Sequence, residues 1–287
     1  MDKREIRKIL VGDFTVKKMV LSLLLIYACL LLFVYLFSDR IIFCGQGQRP
    51  SYEDGPEILK IETKDGGKIS ALYLSEPNSE FTILYSHGNA EDIGDIREVL
   101  EAFRNKGFSV LAYDYRGYGT SDGTPSEKTA YEDIEAAYEY LVGKLGCPPE
   151  RIIALGRSVG GAVAMHLACR EKLAGLILEG PFVTAFRVAT HVPLLPFDKF
   201  RNIDKIKEVH CPILIIHGKD DRIVPFWHGK KLFEAANEPK LKFWVDEAGH
   251  NDLFWVAGPR YWDIIKEFTG VIQANRQNLV NKGSPKP

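Results

Sequence analysis

Apolar and polar positions fall into three regimes along the chain. From Met19 to Phe37 nineteen successive residues carry no charge. As a helix they would span roughly 28 Å, close to a hydrocarbon core of about 30 Å. Gly45 to Pro56 is rich in Gly, Gln, Pro and Ser and reads as a connection. Beyond it, Ile58–Thr63 and Lys68–Leu74 alternate apolar with polar around Asp65-Gly66-Gly67, a hairpin pattern. Phe81–Tyr85 and Phe108–Tyr113 are continuous apolar runs, separated by a helical pattern over Ile93–Lys106 that Gly107 stops. Glu127–Leu145 carries Ala130, Ile134, Ala137, Tyr138 and Leu141 at helical spacing and ends at Pro148-Pro149. Further strands are expected at Ile152–Leu155, Leu173–Glu179, Pro212–His217 and from Leu241, with a helix over Ala162–Cys169. Buried strands alternating with helices predict an α/β domain around a mostly parallel sheet covered on both faces.

The chemistry collects where these strands end. Ile152-Ile-Ala-Leu155 runs into Gly156-Arg-Ser158-Val-Gly160, the G-x-S-x-G of a nucleophile elbow, followed at once by a helix. Its glycines permit a turn too tight for side chains, and the helix directs backbone N–H groups and its positive end at the serine. A serine needs a base and an orienting acid. The strand Pro212–His217 leaves into Gly-Lys-Asp220-Asp221, and the strand from Leu241 ends at Gly249-His250. Ser, then Asp, then His is the chain order of α/β-hydrolases. Asp221 is the expected acid, because D-x-x-V-P sets it just before the turn at Pro225; Asp220 is expected to cap the loop or face solvent. Phe81–Ser86 ends in His87-Gly88-Asn89, which nominates the backbone N–H groups of Asn89 and Val159 as oxyanion donors. His87 is expected to shape this loop.

Taken together, His87-Gly-Asn-Ala90, Tyr113-Asp-Tyr-Arg-Gly-Tyr-Gly-Thr-Ser-Asp-Gly123, Gly156–Gly160, His217-Gly-Lys-Asp-Asp221 and Gly249-His250 resemble the membrane-associated serine hydrolases of the α/β-hydrolase superfamily. That group includes serine-aminopeptidase-like and lysophospholipase-like proteins, monoacylglycerol lipases and acyl-protein (depalmitoylating) thioesterases. The resemblance runs from about Ile58 to Phe268. It implies an α/β-hydrolase fold with about eight strands, helices on both faces and a short lid. It also implies hydrolysis of esters or thioesters by Ser158, His250 and Asp221 through an acyl-enzyme, with no metal or organic cofactor. One departure stands out: the depalmitoylating members begin with a cysteine-rich, lipidated segment, where this chain has a long apolar run.

Composition narrows the choices further. With 37 basic and 38 acidic residues interspersed, the chain shows no nucleic-acid surface. Its five cysteines, at 29, 44, 147, 169 and 211, form no C-x-x-C pair and do not cluster with histidine at metal-ligand spacing, while a disulfide among Cys44, Cys147 and Cys211 stays open. Arg116-Gly-Tyr-Gly-Thr-Ser-Asp-Gly123 lacks the spacing of a phosphate-binding loop and reads as a tight connection at the mouth of the site.

Nothing after Phe37 resembles a small-residue cleavage site, and apolar residues continue past Cys29, so an uncleaved anchor is expected rather than a signal peptide or lipoprotein. Lys3, Arg4, Arg7, Lys8, Lys17 and Lys18 precede it and only Arg40 and Arg49 closely follow, which predicts a cytoplasmic N-terminus and a catalytic domain on the far side. The expected organisation is a cytoplasmic segment 1–18, a transmembrane anchor 19–37, a linker 38–57, a catalytic domain 58–275 and a flexible tail 276–287. A short lid occupies 181–211; its aromatics either wall an acyl pocket or pack on the sheet edge. A second reading keeps the triad but makes the protein an aminopeptidase, with Glu91 or Asp92 holding the substrate's amine. A third is a non-catalytic anchored scaffold that kept the fold, against which the presence of all three triad members speaks.

Overall fold

The computed structural model describes residues 15–283. The chain divides into two compact units, one ending at Ile41 and one beginning at Ile42. The first contains all but the last residue of the helix α1, Val16–Ile42, which is long and apolar enough to cross a membrane. It exceeds the expected 19–37 at both ends, because Lys17, Lys18, Asp39 and Arg40 are compatible with a helix although not with hydrocarbon. The expected segment 1–18 lies mostly outside the described residues.

The second unit is an eight-stranded sheet in the order β1-β2-β4-β3-β5-β6-β7-β8. Its strands are β1 Ile58–Glu62, β2 Lys68–Leu74, β3 Thr82–Ser86, β4 Ser109–Tyr113, β5 Ile152–Arg157, β6 Gly175–Glu179, β7 Ile213–Gly218 and β8 Lys240–Val245. As the alternation predicts, β1 and β2 form an antiparallel hairpin with Ile58 opposite Leu72. β2 is also antiparallel to β4, and every remaining pair is parallel. Helices α2 Arg97–Asn105, α3 Glu127–Gly143, α4 Val159–Arg170, α5 Ala185–Thr190, α6 Asn202–Lys205, α7 Trp227–Ala235, α8 Leu253–Ala257 and α9 Pro259–Gly283 complete the unit.

Successive strand residues face opposite sides of a sheet, and the two apolar cores follow that rule. Ile152, Ala154, Leu176 and Ile213 pack with α3 and α4 on one face. Ile153, Leu155, Ile177 and Leu214 pack with Leu100, Phe103, Tyr261 and Phe268 on the other. Strands buried on both faces have no room for polar side chains, so chemistry is confined to their carboxyl ends, where ligands meet sheets of this kind.

Three expectations differ from the fold. Helix α2 starts at Arg97 instead of Ile93, because Asp92 Oδ1 accepts from the N–H groups of Gly94 and Asp95 at 3.0 and 3.2 Å and holds a turn there. The stretch 38–57 is not a free linker: Phe43 is fully buried, and the Tyr52 hydroxyl donates to Asp114 Oδ2 at 2.5 Å. A polar composition hid this packing. Finally, α9 runs to Gly283, past the expected boundary at 275, and Arg276 lies 4.8 Å over the Phe81 ring. Residues 284–287 of the expected tail lie outside the described residues.

Candidate active site

Ser158 sits between β5 and α4 with φ 53° and ψ −117°, a left-handed backbone that costs a non-glycine residue on the order of 1–3 kcal/mol. The turn has no slack. A Cβ on Gly156 would fall 2.1 Å from Gly160 O, and one on Gly160 would fall 2.1 Å from Ser86 O. Gly160→Ala is therefore expected to cost at least ~3 kcal/mol, at the upper end of overpacking effects. Gly143→Ala, whose added methyl meets nothing within 4 Å, should be neutral or slightly stabilising. Thermal melts of the two variants check this. Because Ser158 is the N-cap, Val159 opens the helix, and its N–H is one of the groups a helix start leaves without an intrahelical acceptor.

Asp221 lies beyond β7 and His250 beyond β8, and the fold brings them together: His250 Nδ1 donates to Asp221 Oδ2 at 2.7 Å. The other carboxylate oxygen, Oδ1, accepts from the N–H groups of Ile223 and Val224 at 2.9 and 2.7 Å. Fully buried His217 stands 3.4 Å from Oδ2 while its Nε2 donates to Val224 O at 2.8 Å. Burial pushes the Asp221 carboxyl up, but His217, His250 and the Val224 N–H outweigh it and hold the group well below the usual carboxylate range. Asp220 is exposed, as expected.

Two adjacent residues, Glu179 and Gly180, link the serine turn to the imidazole. Ser158 N–H donates to Glu179 O at 2.8 Å, and Gly180, next in the chain, comes so close to His250 that a Cβ there would lie 3.0 Å from the imidazole Cε1. Arg157 braces the same corner. Its guanidinium pairs with Glu91 Oε2 and reaches His250 O at 3.3 Å and Asn251 Oδ1 at 2.9 Å. Glu91 Oε1 in turn accepts from Gly88 N–H at 2.7 Å, so one ion pair ties the serine turn to the loop after β3 and the histidine loop. The sequence reading missed this brace. Arg157 occupies the unspecified position of G-x-S-x-G, and its partners are 66 and 93 residues away.

On the loop after β3, Asn89 O accepts from Gly45 N–H and the Tyr118 hydroxyl at 3.0 and 2.9 Å. His87 is fully buried, its Nδ1 donating to Gly88 O at 2.6 Å with the Tyr115 ring tilted against it at 4.4 Å, which suits a loop-shaping role. The Gly-rich connection is structural: Arg116 donates to Asp133, Asp65 and Glu132 at 2.7, 2.7 and 3.0 Å. Burial pushes the Asp133 carboxyl up to about 6 against the pull of Arg116. The stretch 181–211 is mixed in burial. Phe182 and Phe200 are buried in the core, whereas Val192 and Leu194 are more than half exposed. Among the described residues, no group of histidine, cysteine and carboxylate side chains has metal-holding geometry.

The chain is similar to known proteins in sequence and in fold. Residues 77–202 match the family described as serine aminopeptidase, S33. The human alpha/beta hydrolase domain-containing protein 17B is 37% identical over 233 residues, covering 80% of this chain and 78% of that protein. The alpha/beta hydrolase domain-containing protein aho-3 of Caenorhabditis elegans is 44% identical over 204 residues, 69% of this chain and 60% of its own. Among solved structures, the Pyrococcus furiosus esterase Pf2001 superposes with a TM-score of 0.67 at 20% identity, over 78% of this chain and 97% of the esterase. An α/β-hydrolase from Vibrio vulnificus gives 0.62 at 25% identity, over 74% and 81% of the two chains. The chain therefore belongs to the α/β-hydrolase superfamily, together with the alpha/beta hydrolase domain-containing 17 proteins, and is a serine hydrolase.

Proposed function

We propose that the protein is a membrane-anchored serine hydrolase that cleaves carboxylic ester or thioester bonds of lipid-like acyl substrates. The observation that carries the reading is the 2.7 Å contact of His250 with Asp221, joined through Gly180 and Glu179 to the strained Ser158 turn. In this reading His250 Nε2 takes the proton of Ser158 Oγ as the oxygen attacks the acyl carbonyl. The amides of Asn89 and Val159 receive the developing oxyanion. His250 then gives its proton to the departing alcohol or thiol, leaving an acyl-enzyme. Water, deprotonated by the same imidazole, releases the acid and restores the serine. Asp221 holds the Nδ1–H tautomer and stabilises the imidazolium.

The helix α1, with the charge-free run 19–37 at its centre, supports anchoring, and the excess of basic residues before it supports a cytoplasmic N-terminus. An acyl chain presented at a bilayer fits an enzyme held there, and the apolar lid residues suit the same substrate.

The aminopeptidase reading has the matching family's description in its favour, but both of its candidate carboxylates are engaged. Glu91 is paired with Arg157 and the Gly88 N–H. Asp92 accepts from Ser51 N–H at 2.8 Å, from the Ser51 hydroxyl and from Gly94. Both carboxylates thus serve the loop rather than a substrate's amine. Titration of the full-length protein in detergent with a fluorophosphonate should label one serine per chain. Acyl esters and thioesters should then exceed aminoacyl amides in kcat/KM by at least about tenfold, a difference of ~1.4 kcal/mol in transition-state stabilisation. Preference for the aminoacyl amide would replace this reading with the second.

A further inference from the structure

The stretch Ile42–Gly47 that opens the catalytic unit is interlocked with the loop bearing Asn89. The side-chain amide of Asn89 donates to Ile42 O at 2.8 Å. Gly45 N–H and the Tyr118 hydroxyl both donate to Asn89 O, at 3.0 and 2.9 Å. Gly47 N–H donates to Gly117 O at 2.9 Å. Phe43, fully buried, meets Tyr115, Tyr118 and Phe200 edge-on with ring centroids 6.0, 6.3 and 6.0 Å apart. At Gly45 there is no space at all: a Cβ would lie 2.6 Å from Tyr118 Cε1 and 2.8 Å from Asn89 O.

We propose that Ile42–Gly47 is a positioning strap that sets the oxyanion loop, with Phe43 as its pin and Gly45 as its point of closest approach. The inference rests on the reading that the Asn89 N–H receives the oxyanion. Asn89 is gripped at its carbonyl by three donors, Gly45 N–H, the Tyr118 hydroxyl and, at 3.6 Å, the Cys44 thiol, and at its side chain by a fourth bond, so its orientation is fixed from distant parts of the chain. An oxyanion donor is effective only if it is already aimed when charge develops, because reorganisation during the reaction would consume the gain. Loss of the strap's grip should therefore weaken binding of the transition state and leave binding of the ground-state ester nearly untouched. Phe43 also packs against Phe200, within the stretch 181–211, so one ring touches the strap's neighbours Tyr115 and Tyr118 and that stretch together.

The test uses the full-length protein in detergent micelles and a water-soluble p-nitrophenyl ester. Gly45→Ala forces a methyl group between Asn89 O and the Tyr118 ring. Tyr118→Phe deletes one donor and keeps the ring. Two quantities are read for each: kcat against KM, and the inhibition constant of a trifluoromethyl ketone, whose serine adduct places an oxyanion in the same hole. Gly45→Ala is expected to lower kcat by about 10–100-fold with KM changed less than about twofold, and to weaken the ketone by the same factor as kcat. Tyr118→Phe should do the same by about 3–10-fold, the size of one hydrogen bond. If both variants melt cooperatively yet keep kcat and ketone affinity within about twofold of the parent, the strap is packing alone and the inference is overturned. Should Gly45→Ala fail to fold, Tyr118→Phe decides by the same criterion. Ser158→Ala, assayed alongside, separates the two levels. An inert Ser158→Ala with unaffected strap variants sinks the strap only, whereas an active Ser158→Ala sinks the underlying reading with it.

Discussion

Ser158→Ala is expected to lower kcat on a p-nitrophenyl ester by about a millionfold, the effect of removing a nucleophile whose partners act only through it. Fold and stability should be nearly unchanged. Alanine keeps the Cβ, so the cost of φ 53° persists in the variant, and the Ser158 N–H to Glu179 O bond belongs to the backbone. Circular dichroism and melting temperature would then coincide with those of the parent while activity vanishes. Activity above about a tenth of the parent's would show that the nucleophile lies elsewhere.

The second large effect is expected at the acid. Asp221 Oδ1 accepts two backbone N–H groups, from Ile223 and Val224, and Oδ2 accepts from His250 Nδ1. In Asp221→Asn the amide oxygen must stay with the two N–H groups, so the new NH2 turns toward His250. A donor facing Nδ1 selects the imidazole tautomer with its proton on Nε2, which cannot accept one from serine. The loss should approach ten-thousandfold, as in proteases where the same exchange has been made. The exposed Asp220 provides the internal comparison: Asp220→Asn should stay within about threefold of the parent in kcat/KM. The reverse ranking would place the acid one residue earlier. Assays from mildly acidic to alkaline pH would guard against a shifted optimum mistaken for a loss.

The parts of the molecule legible in the sequence are those with a local signature. Two-sided burial makes strands continuous apolar runs, and the residues at their carboxyl ends then stand out, which is how Ser158, Asp221, His250 and Asn89 could be named. What escaped is long-range and polar. Glu91 and Arg157 look like ordinary charges, and nothing near either indicates that they meet between the serine and histidine loops. Phe43 closely follows the apolar run to Phe37, so its hydrophobicity could not be told from the anchor's, although it belongs to the catalytic core. The start of α2 was misjudged because the Asp92 turn satisfies backbone groups that periodicity alone assigns to a helix.

The tightness of the serine turn also sets where new specificity can be sought. Gly160 is seated against Ser86 O, so the elbow and the end of β3 form a joint that admits no added atom. Randomising either side of that joint would yield libraries dominated by unfolded chains. The lid differs in kind: Val192 and Leu194 present their side chains to solvent, where substitution disturbs little of the core beneath. In the proposed reading, an effort to redirect the enzyme toward other acyl groups would start from residues 190–196, with the Ser158 turn left unchanged.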